Sequence, residues 1–272
     1  MKVIDLFCGC GGFSQGFEEH GFDVLGIDMW DVCLQSHGGN TLQFDIGELS
    51  KQSLPTEFQN PDIVIGSPPC QTFSTANRDT RTKDDTLIKH FQRIVSELKP
   101  KYWVWENVMG SRCVEEGTVL DAQNFGVAQR RKRNFVANFH LRNILEYKQP
   151  SVTMRQVLPR IKGTGILDGY NSTVYSLDSV SPTVRRIPLK WYDDFHGACN
   201  EKGKLKSPYD TRLRFTGFDM LSTEDHLTLM GFNRDKKIYG NKGDIMIQIG
   251  NAVSPAVSKA VAQYLQMLEG GI

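Results

Sequence analysis

The side chain best suited to nucleophilic chemistry is Cys70, which follows two prolines in the stretch Ser67-Pro68-Pro69-Cys70. Consecutive prolines stiffen a turn and fix the direction in which the next side chain points. A thiolate is a strong nucleophile, and it suits reversible attack on an electron-poor ring carbon. We therefore predict that Cys70 is a nucleophile at the edge of a ligand crevice. A small residue buried in a loop is the alternative.

An acidic residue, Glu106, directly follows the apolar run Tyr102–Trp105. A carboxylate at the edge of a dry pocket can have a raised pKa and can then donate a proton. The spacing favours a general acid at the end of a buried strand, and a solvated glutamate is the alternative.

Basic residues cluster in Gln129-Arg130-Arg131-Lys132-Arg133, shortly before the apolar Phe135 and Val136. Because alternate residues of a strand face the same side, we predict that Arg131 and Arg133 share a face. That face could hold a carboxylate, a base or a phosphate. A solvated run of charges is the alternative.

A glycine cluster, Gly9-Cys10-Gly11-Gly12, follows the first apolar run and lets the backbone approach a ligand closely. It does not match the dinucleotide fingerprint, because Ser14 occupies the third glycine position, and no Lys-Ser/Thr pair of a P-loop follows. A nucleoside ligand without a pyrophosphate fits this pattern, and an ordinary tight turn is the alternative.

Three further positions point to the nature of that nucleoside. Asp28 ends the second predicted strand, where its carboxylate could accept hydrogen bonds from ribose hydroxyls, and Met29 or Trp30 could pack on an adenine ring. Asp45 could accept a hydrogen bond from the adenine amino group. Together with the glycine cluster, these residues indicate S-adenosylmethionine as the cofactor, and solvated carboxylates are the alternative.

The elements that must position these residues alternate between strands and helices over the first 110 residues. This rhythm predicts an α/β fold with a doubly wound, mostly parallel sheet and helices on both faces. In such sheets ligands bind beyond the carboxyl ends of the strands, where Gly9–Gly12, Asp28, Cys70 and Glu106 fall. The predicted strands are Lys2–Phe7, Phe22–Ile27, Pro61–Gly66 and Tyr102–Trp105, and the predicted helices are Gly12–His20 and Leu87–Leu98.

The rhythm is lost between Asn143 and about Thr216, where Gly, Pro, Ser and Asp are frequent. We predict a catalytic and cofactor-binding domain over residues 1–150, a small irregular recognition region over 151–215, and a C-terminal segment, 216–272, that returns to the first domain. The start Ser254-Pro255 is typical of a capped helix within that segment.

Charge is unevenly distributed in a chain whose formal net charge is +1. Residues 1–70 carry two basic and ten acidic residues, whereas residues 129–162 carry nine basic residues and one acidic residue. This asymmetry favours one face for a polyanion. No apolar run approaches the ~20 residues that cross a bilayer, so we expect no membrane association and a cytoplasmic protein. The six cysteines lack paired metal-ligand spacing, and we predict no metal site.

The ordered set of these motifs resembles the cytosine-5 DNA methyltransferase family, from Val3 to about Leu265. The matching stretches are DLFCGCGGF at 5–13, Asp28, Phe44-Asp45, SPPCQTFS at 67–74, ENV at 106–108, QRRKR at 129–133 and IGNAVSP at 249–255.

The resemblance implies a Rossmann-like S-adenosylmethionine-dependent methyltransferase fold and a role for each motif. Cys70 would add to C6 of cytosine, Glu106 would hold and protonate N3, and Arg133 with Arg131 would orient the ring. The cytosine would have to leave the duplex, under a lid formed by Thr72–Thr86. The cofactor site would be lined by Phe7, Gly9, Gly11, Gly12, Phe13, Asp28, Met29, Asp45, Ile46, Pro69, Leu87 and Asn251.

The resemblance also implies double-stranded DNA as the partner, in a monomeric, nucleoid-associated enzyme of a restriction–modification system. A cognate restriction endonuclease or a helper protein are the candidate protein partners. The region between Pro159 and Thr183 is short, which predicts a short recognition sequence. The candidates for groove contacts are Arg160, Arg185, Arg186, Lys190, Trp191 and Tyr192.

One departure from the family pattern concerns Val108–Ala128, where the family usually places a helix and a strand. We expect part of the sheet or its covering helix to be trimmed there. Two alternatives stay open: the same chemistry on tRNA, and a catalytically inactive DNA-binding homologue.

Overall fold

The computed structural model describes residues 1–69, 73, 84–168, 173–192 and 218–270. The strands of the large sheet are β1 (Lys2–Leu6), β2 (Asp23–Asp28), β3 (Asn40–Gln43), β4 (Ile63–Gly66), β5 (Tyr102–Asn107), β6 (Thr118–Asp121) and β7 (Lys132–Ala137). Strands β8 (Gly165–Asp168), β9 (Thr173–Ser176), β10 (Lys190–Tyr192) and β11 (Phe218–Met220) form a second sheet. The helices are α1 (Gly12–Glu18), α2 (Asp31–His37), α3 (Thr86–Leu98), α4 (Met154–Val157), α5 (Thr223–Met230), α6 (Lys242–Asn251) and α7 (Pro255–Gly270).

The large sheet has seven strands in the order β3-β2-β1-β4-β5-β7-β6. The first five are parallel, and β7 runs antiparallel to both of its neighbours. The register pairs Leu6 with Ile27 and with Gly66, so the parallel strands end at a common edge. This confirms the predicted α/β fold with a doubly wound, mostly parallel sheet.

Strand β1 shows why this sheet is covered on both faces. Its residues Val3, Ile4 and Leu6 are fully buried although they alternate between the two faces. Near-continuous apolar runs of this kind are typical of parallel strands covered on both sides. Asp5 is the exception in this run, because it is a carboxylate with no exposed surface.

Helices pack on both faces of the sheet. On one face, α1 and α7 form a core around Phe13, Phe17 and Val261. On the other face, α3 contributes Ile88 and Phe91, whose helical spacing produces the predicted apolar stripe.

The second sheet is antiparallel, in the order β11-β10-β8-β9. The segment that precedes β7 is joined to the chain around Ser181 by backbone hydrogen bonds: Arg130 N donates to Ser181 O at 2.9 Å and Ser181 N donates to Ala128 O at 2.8 Å. The predicted limits of the recognition region, 151–215, stay a prediction, since residues 193–217 lie outside the described part of the chain.

Of the two alternatives expected for Val108–Ala128, a trimmed sheet is wrong, whereas a trimmed covering helix agrees with the structure. The interval Val108–Ala128 contains a strand, β6, which pairs with β7, and its only described helices are 3-10 turns over Met109–Cys113 and Ala122–Asn124. The sequence patterns also missed helices α2 and α6 and strand β3, and the region predicted to be irregular contains strands β8–β10 of the second sheet. Helix α2 and strand β3 are short and lack a clear apolar period.

No helix among the described residues is long and apolar enough to cross a membrane. The same residues contain no group of three or more His, Cys, Asp and Glu side chains that could hold a metal ion.

The contact between α1 and α7 depends on Gly16. A Cβ at this position would lie 2.3 Å from Lys259 N and 2.5 Å from Ser258 Oγ. The two helix backbones are therefore too close at this point for any residue that has a Cβ.

We expect Gly16→Ala to lower the free energy of unfolding by roughly 1–3 kcal/mol, because the methyl group must push α7 away from α1. Urea denaturation measures this change. Gly270→Ala is the matched control, since a Cβ there meets nothing within 4 Å. An unchanged denaturation midpoint in Gly16→Ala would contradict the close contact.

Candidate active site

A cavity of about 380 Å³ opens at the carboxyl ends of β1, β2, β4 and β5. Its walls come from three parts of the chain. The first part contributes Phe7, Cys8, Gly9, Asp28, Met29, Trp30 and Cys33; the second contributes Ser67, Pro68, Pro69, Glu106, Asn107, Val108 and Arg133; the third contributes Arg186, Ile247, Gln248, Gly250, Asn251 and Ala252. The volume is in the range of small-molecule sites.

The glycine cluster forms a turn at the floor of this cavity. Gly9 and Gly11 adopt positive φ angles of 53° and 84°, a conformation that strongly favours glycine. Asp28 holds the turn, because its Oδ2 accepts a hydrogen bond from Gly9 N at 3.0 Å and its Oδ1 accepts one from Trp30 N at 2.9 Å. Phe7, the residue directly after β1, also has a positive φ, of 58°. This conformation is strained for a residue with a side chain.

A buried polar network lies behind the glycine turn and was not predicted. Ser14 Oγ donates to Asp5 Oδ2 at 2.7 Å, and His37 Nε2 lies 2.8 Å from Ser14 Oγ. Gly39 N donates to His37 Nδ1 at 3.2 Å, which leaves the proton of the neutral ring on Nε2. The imidazole fills the space beside Gly11, where an added Cβ would lie 3.0 Å from the ring.

Burial shifts the pKa of both titratable members of this network. It raises the pKa of Asp5 to about 7, an effect that the hydrogen bond from Ser14 opposes. It lowers the pKa of His37 to about 4, and the nearby Lys236 adds to this shift. The network is therefore held with a neutral imidazole at neutral pH.

Glu106 and Arg133 meet on adjacent antiparallel strands at the other end of the cavity. Arg133 Nε lies 3.0 Å from Glu106 Oε1. The contact lacks the alignment of a hydrogen bond, so this oxygen accepts no hydrogen bond from the described residues. Burial raises the pKa of Glu106, and the charges of Arg133 and Arg131 oppose that rise. A 4% exposed carboxyl group with a raised pKa is suited to proton donation.

The double-proline corner is fixed from both sides. Asn107 Nδ2 donates to Pro68 O at 3.0 Å, and Ser67 Oγ donates to Phe7 O at 3.2 Å. Pro69 lines the cavity, whereas Cys70, which follows it in the sequence, lies outside the described residues. These two hydrogen bonds connect the corner to Asn107 at the end of β5 and to Phe7, which precedes the glycine turn.

Arg131 takes a different place from Arg133. Its guanidinium is buried and donates to three carbonyl oxygens, those of Val184 at 3.1 Å, Gly250 at 2.9 Å and Ala252 at 2.8 Å. It does not line the cavity, although its charge acts on Glu106. Strand β7 begins only at Lys132, so the alternation that predicted a shared face does not extend to Arg131.

The predicted site residues divide into two groups. Those that line the cavity are Phe7, Gly9, Asp28, Met29, Pro69, Glu106, Arg133 and Asn251. Those that do not line it are Gly11, Gly12, Phe13, Asp45, Ile46, Leu87 and Arg131. Most of the predicted lid, Thr72–Thr86, and Cys70 lie outside the described residues.

Several members of the second group support the walls of the cavity. A Cβ on Gly12 would lie 2.2 Å from Val253 O, so α1 packs directly on the turn that leads into α7. Phe13 belongs to the core, and Asp45 Oδ1 accepts a hydrogen bond from Gly47 N at 2.8 Å.

The sequence patterns did not reveal Cys33, Gln248 or the position of Arg186 in the cavity wall. Recognition of α2 directly after Asp28 would have found Cys33. No local signal in the sequence places Arg186 in the same cavity as Glu106, because the two residues belong to distant parts of the chain.

The described cavity fits S-adenosylmethionine in size and chemistry. Its floor is a glycine turn that keeps the backbone accessible, a carboxylate ends β2 at Asp28, and Met29 presents a 67% exposed apolar side chain at its wall. A doubly wound sheet binds ligands of this kind at its carboxyl edge, and S-adenosylmethionine-dependent methyltransferases are one class with this arrangement.

Comparison with known proteins narrows this class. The family profile described as C-5 cytosine-specific DNA methylase matches residues 1–118. The Type II methyltransferase M.HgiGI of Herpetosiphon aurantiacus is 35% identical over 118 residues, which cover 41% of this chain and 94% of that relative. M.HgiDI of the same organism, also a Type II methyltransferase, is 28% identical over 303 residues, covering 98% of this chain and 94% of the relative.

A solved structure shares the fold along almost the whole chain. The crystal structure of a Spodoptera frugiperda DNMT2 mutant superposes with a TM-score of 0.69 at 17% identity, covering 98% of this chain and 99% of that one. The chain belongs to the C-5 cytosine-specific DNA methylase family. It is a DNA (cytosine-5-)-methyltransferase whose expected cofactor is S-adenosylmethionine, as predicted.

We expect the difference in stability between His37→Gln and the wild type to depend on pH. The folded wild type excludes a proton that the unfolded chain binds below about 6.5, so His37 lowers the free energy of unfolding as the pH falls toward 4. Asp5 has the opposite effect, because its raised pKa makes the folded protein bind a proton that the unfolded chain does not bind between about pH 4 and 7. It therefore raises the free energy of unfolding as the pH falls through this range, and it does so equally in the wild type and in His37→Gln. Glutamine can still donate to Ser14 but does not titrate.

Thermal melts at pH 7 and pH 5 test this expectation. Relative to the wild type, His37→Gln should gain roughly 2 kcal/mol on going from pH 7 to pH 5. The exposed His140→Gln is the control and should follow the wild type. A constant difference between His37→Gln and the wild type would contradict a neutral, buried imidazole.

We expect Arg131→Lys to lower the free energy of unfolding by roughly 3–5 kcal/mol, because one ammonium group cannot replace a fork that donates to three buried carbonyls. Urea denaturation measures the loss, and Arg130→Lys, which changes an exposed side chain, is the control. If Arg131→Lys kept its stability and lost only methyl transfer, the predicted catalytic role would hold instead.

Proposed function

We propose that this protein methylates C5 of cytosine in double-stranded DNA, at a short recognition sequence, through a covalent adduct between Cys70 and C6 of a flipped base. The observation that carries the proposal is the pairing of Glu106 with Arg133 in the same cavity as the glycine turn and Asp28. A proton donor and a nucleoside site thereby share one enclosed space.

The chemistry explains why a proton donor and a nucleophile are both needed. C5 of cytosine is a poor nucleophile, and addition of a thiolate to C6 makes it reactive. The Cys70 sulfur forms a bond with C6, the C5=C6 electron pair becomes available at C5, and N3 takes a proton from Glu106. After C5 has gained the methyl group, a base removes the C5 proton, the C5=C6 double bond is restored and the C–S bond breaks to release the Cys70 thiolate. Glu106 takes back the proton from N3.

S-adenosylmethionine supplies the methyl group when it is bound. The residues that would hold it are Gly9 of the glycine turn, Asp28, Met29 and Asn251, which line the cavity together. Because the cofactor site adjoins the Glu106–Arg133 pair, the methyl donor and the cytosine ring would share one space from which bulk water is displaced.

The electrostatics of Glu106 support its role as the acid. Burial favours the neutral carboxyl group, which carries the proton that N3 requires. Arg133 limits the rise of the pKa, so the carboxyl group can also return to its charged form. The unaligned oxygen Oε1 is the atom expected to receive a hydrogen bond from the exocyclic amine of the ring.

The enclosed position of Glu106 supports base flipping. A side chain that is 4% exposed cannot reach a cytosine that stays stacked in a duplex. The base must rotate out and enter the cavity, which costs a few kcal/mol of unstacking and unpairing. Basic residues around the entrance, such as Arg186, would offset part of that cost through contacts with phosphates.

The remaining proposals concern biological context. The relatives are named Type II methyltransferases, and we extend a restriction–modification role from them to this chain. A monomer, a cognate endonuclease or helper protein as partner, and a cytoplasmic, nucleoid-associated location complete the proposal.

Methyl transfer from labelled S-adenosylmethionine to duplex DNA tests the reaction directly. We expect Glu106→Gln to lower kcat about 10²- to 10⁴-fold, because the amide cannot protonate N3. Cofactor binding, measured by calorimetry, should stay within a few-fold of the wild type. Glu116→Gln is the matched control, since Glu116 is exposed.

The covalent step has its own readout. A duplex that carries 5-fluorocytosine at the target position should form a stable protein–DNA adduct with the wild type and none with Cys70→Ser, because the fluorine at C5 cannot leave as a proton does. Bisulfite sequencing of DNA from cells that express the protein gives the recognition sequence. Transfer to tRNA with none to duplex DNA would overturn the proposed substrate.

A further inference from the structure

A tight turn follows β3 and carries one of the predicted cofactor residues. This β3 turn comprises Asp45–Leu49. Glu48 N donates to Asp45 O at 3.0 Å, which closes the turn, and Gly47 N donates to Asp45 Oδ1 at 2.8 Å. The Asp45 carboxylate is exposed, and its Oδ2 accepts no hydrogen bond from the described residues. The β3 turn therefore offers an open acceptor at the carboxyl edge of the sheet.

The β3 turn adjoins the wall of the cavity, although Asp45 does not line it. Strands β2 and β3 are parallel, and their register pairs Asp28 with Gln43. Beyond this pair, Phe44 N donates to Asp28 O at 3.0 Å, and Gln43 Nε2 donates to Met29 O at 3.2 Å. Both acceptors belong to residues of the cavity wall. Asp45 thus leaves the sheet beside the strand end that carries Asp28.

One side chain of α3, Arg93, binds the backbone of the β3 turn. Its Nη1 donates to Leu49 O at 2.7 Å. Its Nη2 donates to Ile46 O at 2.9 Å and to Gly47 O at 3.2 Å. A guanidinium presents its N–H groups in a planar, rigid fork, so it can hold several carbonyl oxygens at set positions, which a single ammonium group cannot do. Arg93 therefore restrains the backbone of the β3 turn on both sides of its tip.

The hydrogen bonds from Arg93 are not needed to attach the β3 turn to the core. Ile46 and Leu49 are buried, and they belong to the same apolar cluster as Ile88 and Phe91 of α3. The Arg93 side chain itself is 40% exposed, so its removal leaves that cluster intact. Its hydrogen bonds accordingly fix the conformation of the turn, and with it the direction of the Asp45 carboxylate.

The adenine ring of S-adenosylmethionine matches this open acceptor. Its exocyclic amino group is a hydrogen-bond donor, and a carboxylate that accepts from it forms a charge-assisted bond, which is stronger than a neutral one. Asp28, on the neighbouring strand, is placed for the ribose of the same ligand. An acceptor on an unrestrained turn would have to be ordered on binding, and that ordering would reduce the affinity. A turn that is already held avoids this cost.

We propose that Arg93 is a positioning residue of the cofactor site. By holding the carbonyl groups of the β3 turn, it directs the Asp45 carboxylate toward the amino group of the adenine ring. Asp45 forms the bond to the ligand, whereas Arg93 touches neither the cofactor nor the reacting atoms. This inference rests on the proposed function, because it concerns the cofactor of that reaction.

The test measures the binding of two ligands to Arg93→Ala and to the wild type by calorimetry. One ligand is S-adenosylhomocysteine, and the other is its purine-riboside analogue, in which a hydrogen atom replaces the amino group. Arg93→Ala should raise the Kd of S-adenosylhomocysteine roughly 10-fold, because the carboxylate is no longer directed at the amino group. The analogue should bind the wild type more weakly, and Arg93→Ala should change its Kd by less than about 3-fold.

Steady-state kinetics add a second readout. Arg93→Ala should raise the KM for S-adenosylmethionine roughly 10-fold, while kcat and the KM for DNA stay within about 3-fold of the wild type, since the reacting atoms are not affected. Arg93→Lys keeps the charge and part of the hydrogen bonding, so its KM should lie between the two. Lys89→Ala is the matched control, because Lys89 is an exposed cation of the same helix that pairs with Asp85. It should bind both ligands like the wild type.

The outcomes separate this inference from the proposed function. Equal losses for both ligands would mean that Arg93 only maintains the fold of the β3 turn, and unchanged binding of S-adenosylhomocysteine would mean that it has no effect on the cofactor. Either result, or a wild type that binds both ligands equally well, would overturn the role of Arg93. A wild type that binds S-adenosylhomocysteine through its amino group but transfers no methyl group to duplex DNA would overturn the proposed function and leave the role of Arg93 intact.

Discussion

The three hydrogen bonds from the guanidinium of Arg131 are the interaction on which the site depends most. They join the segment before β7 to the chain at Val184 and to the end of α6 at Gly250 and Ala252. The second and third of the three parts of the chain that wall the cavity are joined at this point. A cation in the interior requires full compensation by oriented dipoles, and the directional fork of arginine supplies that geometry as lysine cannot. The shape of the cavity is thus set by a residue that does not face it.

The polar network behind the glycine turn shows the same principle at the cofactor end. A turn with several glycines is intrinsically mobile, yet Asp28 fixes one side of it and the imidazole of His37 occupies the other. The buried carboxylate of Asp5 is the cost of this arrangement, because one of its oxygens accepts no hydrogen bond from the described residues. The unpaired oxygen of Asp5 lowers the free energy of unfolding, while the network around it fixes the backbone of the glycine turn in the cofactor site.

Much of the fold and part of the site could be predicted from the sequence because the strongest signals are local. Apolar runs located β1, β4 and β5, and the rule that ligands bind at the carboxyl edge correctly predicted that Asp28 and Glu106 lie at one site. The missed features depend on contacts between distant residues. The reversal of β7 has no local sequence mark, and the role of Arg131 follows from acceptors more than fifty residues away. Glu106 was expected after its strand but is its fifth residue, since β5 extends to Asn107 to pair with Asn134.

The reversal of β7 has a consequence for the opposite side of the molecule. Since β7 runs against its neighbours, it starts at the cavity edge with Arg133 and ends at the far edge with Ala137. The chain then follows a 3-10 helix, Leu141–Tyr147, along α7 before it returns. Exposed positions there, such as His140, are separated from the cleft by the full length of the strand. A dye, a tether or a fused domain attached at that site would leave the approach of a nucleic acid unobstructed.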